Sequence, residues 1–394
     1  MLLSSSAGQF YGFNFLIDRY NIFMLDIKFI RENPMLIREA ARKKRIEFDV
    51  QVLIELDDTR RAKITEVEAM RAELNTVSDS IPKIQDDSEK MLAIGNTREF
   101  KKKLVEKEKE LSGIQDKFQQ IMYDVPNIPD PSVPDGASAA ENQAIRKCGQ
   151  VPKFSFAPKD HITLLQNLVL VDFERGVKVS GFRGYFLKRE AAVLSMALWQ
   201  FAMNELAKKG FIPLLAPSLV RENNFVGTGY LPHGKEEIYA TQDDLFLVGT
   251  SEVAVMGMYQ DEILHEADLP KKFVAFSPCF RREAGSHGKD TKGLYRVHEF
   301  MKVEQVVLCR ADHMESVHLH EEITNNAEEI MQALELYYRV VANCCGDLGL
   351  GQVKKYDIEV WVPSQQKFGE THSASYFHDF QTRRLNIRYR AESG

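Results

Sequence analysis

The densest run of side chains able to do chemistry is FVAFSPCFRREAGSHGKDTKGLYRVHEFMKVEQV at 273–306. Its pattern predicts a strand, a long polar loop with two glycine-containing turns, and a second strand. Arg281 and Glu283 fall at the end of the first strand; Arg296, Phe300 and Glu304 fall on or near the second. With a side-chain period of two, positions 296, 298, 300, 302 and 304 share one face, which carries Arg, His, Phe, Lys and Glu. A core face is not built from such residues. An Arg offers a planar fork to a phosphate, a Phe offers a stacking surface to a base, and a Glu accepts from an amine. Together they suggest a polar bed for a nucleotide. An internally paired Arg/Glu network on a solvent-facing sheet remains the other reading, because surface strands often alternate charge.

The elements before this hairpin must position it. Residues 191–209 (AAVLSMALWQFAMNELAKK) repeat apolar side chains at helical period, and Gly210 is the expected C-cap. Residues 211–215 read as a short strand ended by Pro217, since proline is tolerated only at a strand end or edge. GTGYLP (227–232) and DDLFLVGTSE (243–252) follow.

Residues 53–84 carry a heptad. Positions 53, 56, 60, 63, 67, 70, 74, 77, 81 and 84 are Leu, Leu, Arg, Lys, Val, Met, Leu, Val, Ile and Ile, a coiled-coil seam. Pro82 should kink or end that helix near Ile81. The polar segment 85–98, with its Gly-Asn pair, is the expected hairpin tip. A second heptad runs through Leu104, Lys107, Leu111, Ile114, Phe118, Ile121 and Val125, and stops at Pro126 before a linker with four prolines (126–136). The two seams predict an antiparallel helical arm. Over 51–122 there are 13 Lys+Arg and 15 Asp+Glu, a balance of −2, so charge alone gives no nucleic-acid signal there. A scaffold coiled coil is therefore also open. The dense basic spot is Arg98, Lys101, Lys102 and Lys103, expected near the tip, where a long RNA could meet it.

The chain has 394 residues, net charge −6 and 44% apolar residues. That composition excludes a mostly disordered, collagen-like or disulfide-scaffold protein. No run of about 18 uncharged apolar residues occurs, so no transmembrane helix is expected. Five cysteines, at 148, 279, 309, 344 and 345, form no CxxC pair, which favours a reducing cytoplasm over a disulfide framework. Residues 1–23 lack the early basic region of a secretory signal and the several arginines of a mitochondrial leader. Met24 opens MLDIKFIRENP like a natural beginning, so 1–23 is expected to be an artefactual extension.

From Met24 on, the chain resembles the bacterial-type seryl-tRNA synthetases, class II aminoacyl-tRNA synthetases. The resemblance rests on the arm, PNIPDPSVP, PKDHITL, KVSGFRGYFL, GTGYLP, FRREAGSHGKDTKGLYRVHEFMKVE and FHDFQTRRLNIRYR. FRxE alone marks only class II; with the arm and GTGYLP it points to the seryl member. The class I signatures HIGH and KMSKS are absent. The resemblance implies an α+β fold: a tRNA-binding helical coiled-coil arm over 24–128, and a class II antiparallel β-sheet flanked by helices over 129–394. It implies activation of L-serine with ATP and Mg²⁺, then transfer to tRNA(Ser), with tRNA(Sec) as a further acceptor. A cytoplasmic homodimer is implied, with no DNA or membrane partner.

The family's residues map as follows. Pro217 matches the motif 1 proline at the dimer interface. Arg281 matches the arginine that grips the ATP α-phosphate and serine carboxylate, Glu283 the acid on the adenine side, Phe300 the aromatic under adenine, and Arg296 an arginine reaching the γ-phosphate. Arg282, Val297, His298 and Glu299 belong to the same ATP-binding stretch. Thr250, Ser251 and Glu252 match T-A-E, which holds serine, with Ser in place of Ala. Glu304 matches the acid that binds the serine ammonium. Glu370, Thr371, His372 and Ser373 match E-x-S-S, where Glu370 and Ser373 bind Mg²⁺ and phosphate; His372 replaces Ser, and Tyr376 replaces Asn farther on. The loop 284–295 is expected at the tRNA acceptor end. In the family a third motif follows the LNIRYR strand, and no other segment here resembles it. The expectations are a fragment, a strand 385–390 without its neighbour, poor solubility, and weak or no aminoacylation. A non-catalytic tRNA-binding relative is the alternative, opposed by the intact Arg281, Glu283, Phe300 and Glu304. A ligase charging a carrier protein is opposed by the arm.

Overall fold

The computed structural model describes residues 25–285 and 293–391. Residues 1–23, Met24 and the centre of the 284–295 loop (286–292) lie outside the described residues. The chain divides into two compact units, Leu25–Ile128 and the residues from Pro129 onward.

The first unit begins with two short helices, α1 (Ile27–Glu32) and α2 (Pro34–Lys44). Asp26 caps α1 by accepting from the Phe29 amide, and Pro34 opens α2 at a position where its missing N–H costs nothing. Two long helices then pair, α3 (Val50–Ser80) and α4 (Asp87–Tyr123). At about 1.5 Å per residue they span roughly 45 and 55 Å. The polar seam positions are accommodated. Arg60 lies over the Phe118 ring at 4.3 Å, and Lys63 bridges to Glu110 at 2.9 Å.

The tip differs from expectation. The chain turns at 81–86, and 87–98 forms the first three turns of α4 rather than a loop. Asp86 caps the helix through the Glu89 amide, and Asp87 and Glu89 favour its positive N-terminal end. The basic group at Arg98 and Lys101–Lys103 therefore lies in the body of α4, roughly 15–25 Å from its start. All four side chains belong to exposed residues.

From Pro129 the chain runs β1 (Gln143–Cys148), α5 (His161–Asn167), β2 (Val171–Asp172), α6 (Phe173–Ser180), β3 (Phe186–Leu187), α7 (Glu190–Lys208), β4 (Ile212–Leu215), β5 (Leu219–Arg221), α8 (Glu222–Thr228), β6 (Leu245–Leu247), α9 (Glu252–Gly257), β7 (Ile263–His265), β8 (Lys271–Phe280), β9 (Glu299–Leu308), α10 (His313–Ala333), β10 (Tyr338–Ala342), β11 (Lys354–Val362), β12 (Lys367–Tyr376), α11 (Phe380–Arg384) and β13 (Arg388–Arg390). The α7 helix stops as expected. Gly210 takes φ +86° just beyond it, and the Phe211 amide returns to the Leu206 carbonyl.

Two sheets carry the unit. One is antiparallel in the order β1-β10-β11-β12, with Tyr338, Val340 and Ile358 packed on Ala327 and Met331 of α10. The other runs β4-β8-β9; β8 and β9 are antiparallel over ten residue pairs, and β4 joins parallel. A cavity of about 1550 Å³ is lined by consecutive residues of both β9 and β12. Contact by every successive residue means that it meets strand edges as well as faces.

The LNIRYR segment differs from the expected strand. Only Arg388–Arg390 is extended, and it has a neighbour, pairing parallel with β7. Leu385 and Ile387 turn into a core formed with Val255, Met256, Phe273, Val306 and Leu308. Among the described residues no helix is long and apolar enough to cross a membrane.

Candidate nucleotide and amino-acid site

β9 places Phe300, Lys302 and Glu304 on one face, in register with Cys279, Ser277 and Ala275 of β8. Those three small partners are fully buried. The larger side chains of β9 thus project over a low floor. Arg281 follows β8 directly, and its guanidinium sits 5.2 Å from the Phe300 ring centroid. Its amide is held by the His298 carbonyl at 3.0 Å, and the His298 ring bonds the Arg281 carbonyl through Nδ1 at 3.0 Å.

Glu304 organises the turn before α9. It accepts from Thr250 Oγ1 at 2.6 Å, from Ser251 Oγ at 2.6 Å, and from the Ser251 and Glu252 amides at 2.8 and 3.3 Å. Thr250 and Ser251 are buried. Burial pushes the Glu304 carboxyl up, but Lys302 and these donors outweigh it and hold the group below its ordinary range. Glu252 behaves oppositely. Burial, then the neighbouring charge of Glu304, raises it to about 7. Carboxylates shifted in opposite directions within one cleft mark a candidate functional site.

Arg296 and His298 precede β9, so only positions 300, 302 and 304 share the expected strand face. Arg296 instead donates to Glu283 at 2.6 Å, and Glu283 sits at φ +55°. Arg183, its side chain only 4% exposed, lies 3.9 Å from the same carboxylate. An internal Arg/Glu pair is thus part of the site, beside the open Arg281–Phe300 surface. Val297 is buried, Glu299 is exposed at the head of β9, and the Arg282 amide bonds the Glu237 carbonyl.

Glu370, Thr371, His372 and Ser373 lie on β12, where the register shifts. Glu370 pairs with Glu359, His372 with Ile358 and Ser373 with Asp357, leaving Thr371 as the extra residue of a bulge. Thr371 Oγ1 donates to the Ile358 carbonyl at 3.1 Å. The extra residue changes the parity of the strand, so Glu370 and Ser373, three apart, share a face. His372 falls on the other face, with Ala374 and Tyr376, toward α10. Burial lowers the His372 imidazole to about 4, so it is neutral at pH 7. The two departures from the family pattern on this strand are thereby turned away from Glu370 and Ser373. Partial desolvation, then the Asp357 charge, pushes the carboxyl of the exposed Glu370 up.

Some neighbours were not singled out from sequence. Tyr230 and Gln381 both donate to Glu252, at 3.0 and 2.6 Å. Tyr230 was visible only as part of GTGYLP and Gln381 only as part of FHDFQTRRLNIRYR, 129 residues from its acceptor. Lys355 and Asp357 beside Glu370 are also additions, 3.6 Å apart.

Residues 24–129 match the family model of the seryl-tRNA synthetase N-terminal domain, and residues 237–394 match that of the tRNA synthetase class II core domain (G, H, P, S and T). The serine–tRNA ligase of Deinococcus radiodurans is 45% identical over 372 residues, which cover 94% of this chain and 87% of that relative. Among solved structures, the seryl-tRNA synthetase of Pyrococcus horikoshii complexed with ATP matches with a TM-score of 0.84 at 40% identity, covering 94% of this chain and 88% of the other. The cytoplasmic serine–tRNA ligase of Naegleria fowleri in complex with AMP matches with a TM-score of 0.81 at 30% identity, covering 94% and 86%.

Proposed function

This chain belongs to the seryl-tRNA synthetase family, and on that premise we propose that it activates L-serine with ATP and transfers the seryl group to tRNA(Ser). The observation that carries the reading is the Glu304-centred turn, Thr250–Ser251–Glu252, set beside the Arg281–Phe300 surface. Serine's ammonium would meet Glu304 and its surroundings. Its carboxylate would lie toward Arg281, and adenine would stack on Phe300. The carboxylate oxygen attacks the α-phosphorus in line, the bond to the bridging oxygen breaks, and pyrophosphate leaves. Arg281 would supply charge to the α-phosphate as negative charge builds there, and Arg296 would reach the leaving group only by giving up its pair with Glu283. A ribose hydroxyl of the tRNA terminus then takes the seryl group and releases AMP.

Glu370 and Ser373 suit a magnesium ion that is held mainly by phosphates. A carboxylate and a hydroxyl share one face, and Glu370 takes no hydrogen bond from a described residue. Mg²⁺ normally accepts one or two protein oxygens and completes its shell with water and phosphate. The ion would neutralise phosphate charge there.

The test is binding of non-hydrolysable aminoacyl-adenylate analogues by calorimetry. The seryl analogue is expected to bind at least about a hundredfold tighter than the alanyl one, because a site built on polar groups rejects a ligand that leaves them unpaired. Equal affinity would overturn the proposal.

The arm is proposed to bind tRNA, reading shape more than sequence. Replacing Lys101, Lys102 and Lys103 together by alanine is expected to weaken tRNA binding about tenfold near 0.15 M salt and to flatten its salt dependence. Binding of the seryl-adenylate analogue should be unchanged. A tRNA titration at three salt concentrations checks this; an unaltered salt slope would remove the basic group from the interface.

A homodimer is proposed through the apolar band of α7 and β4. Val193, Leu194 and Met196 are 60–66% exposed and Leu215 is 84% exposed, ahead of Pro217. Exposed apolar side chains gathered on two neighbouring elements mark an association face. Leu215→Asp is expected to convert a particle of twice 45.1 kDa into a monomer in sedimentation experiments. A monomeric parent protein would contradict the proposal.

A further inference from the structure

The two oxygens of Glu252 are held from opposite sides by residues of different elements. Gln381 Nε2 of α11 donates to Oε1 at 2.6 Å. The Tyr230 hydroxyl, just beyond α8, donates to Oε2 at 3.0 Å. Gln381 is buried and also reaches the Thr228 carbonyl, at 3.4 Å. The GTGYLP segment makes this meeting possible. A Cβ on Gly227 would stand 2.2 Å from Leu385 Cδ2. At Gly229, with φ +87°, a Cβ would stand 2.8 Å from the Phe380 ring. Glycine at these positions lets α11 rest directly on α8, so that Tyr230 and Gln381 converge on one carboxylate.

We infer that Tyr230 and Gln381 are positioning residues for serine selection: together they clamp Glu252 in the one orientation that receives the polar groups of bound serine. The inference rests on the reading of Thr250–Glu252 as the serine site. Both donors are neutral. They fix the carboxylate without cancelling its charge, as a lysine or arginine would. When Glu252 is ionised, its charge stays available to an incoming ammonium or hydroxyl group. Its other charged neighbours are Glu304 and Lys302 of β9; Arg384 of α11 lies over the Phe380 ring. The backbone amide of Glu252 is itself anchored on Glu304, so the residue is held at both ends. A preorganised acceptor discriminates sharply, because a ligand lacking the matching donor leaves it unpaired.

The experiment compares the parent protein with Gln381→Met and Tyr230→Phe, which keep shape and remove the donors. Calorimetry reads affinity for ATP and for seryl- and alanyl-adenylate analogues between pH 6 and 9. In each variant the seryl analogue is expected to weaken at least about tenfold, while ATP stays within about twofold. The seryl-to-alanyl preference should shrink accordingly. Both donors favour ionised Glu252, so their removal should also move the acid limb of seryl binding to higher pH. Unchanged preference in both variants would overturn the inference. So would an equal loss for ATP and both analogues, the mark of a merely structural role. If the parent protein shows no seryl preference, the serine-site reading itself falls, and the clamp with it.

Discussion

Replacing Arg281 by glutamine is expected to weaken binding of the seryl-adenylate analogue by about 10²- to 10³-fold. Its guanidinium is poised over Phe300, and its residue is exposed toward the bed. An adenylate places a phosphate and the serine carbonyl within reach of one planar fork, and charge-assisted, bidentate contacts are the strong class of hydrogen bond. Losing a preorganised donor of that kind costs on the order of 10²–10³ in catalysis as well. Lysine should recover only part of the affinity, since it brings the charge without the fork. Folding should barely change: no ion pair with another described residue depends on Arg281, and such surface substitutions usually move stability by less than about 0.5 kcal/mol. Calorimetry with a melting curve on the same sample separates the two effects. A variant that binds within tenfold of the parent would remove Arg281 from the phosphate site.

Glu304→Gln should reduce serine binding by at least about a hundredfold, and it should act by a different route. Glu304 is the common acceptor for two hydroxyls and two amides of the 250–252 turn. A carboxamide keeps one acceptor oxygen and turns an N–H group toward hydroxyls that were donating. The turn must then rearrange, and the anion that would face the serine ammonium is gone. The negative charge that Lys302 faces on this side of β9 is lost as well. Glu304→Ala should in addition lower stability by about 3 kcal/mol, the usual cost of stranding buried partners of a charge. Serine affinity measured with ATP affinity on each variant is the check. A parallel loss of both would mean that the whole bed had collapsed, and the claim for a specific serine contact would fail.

Much of this was legible because it is local. The run 273–306 announces two strands and a polar face, and β8 and β9 form there. The apolar helix before Gly210 ends where glycine can take positive φ. The two heptads mark a helical pair whose polar seam residues find partners across it. The misplaced tip has a physical reason. Polarity alone cannot separate a loop from a solvated helix, whereas Asp86 with Glu89 three residues later is a helix-start signal that the sequence did contain. The shortened last strand follows from Leu385 and Ile387, whose burial in a tertiary core outweighs a local extended pattern.

The remaining features depend on contacts far apart in the chain. The bulge at Thr371 is set by pairing with β11, and strand period alone places Glu370 and Ser373 on opposite faces. Arg296 reads as a ligand-facing arginine until the chain is seen to enter β9 only at Glu299, leaving it against Glu283. Gln381 lies in FHDFQTRRLNIRYR, but nothing in that segment points to Glu252, 129 residues away. Gly227 and Gly229 do carry a local mark, since a glycine inside a short helix and another just past it suggest close approach of a second element.

Serine activation itself is tested most directly by exchange of labelled pyrophosphate into ATP, run in parallel with each of the twenty amino acids. The account predicts that serine alone raises exchange above the background without amino acid, however slow the turnover. Exchange supported by another amino acid in place of serine, or by none of the twenty, would contradict it.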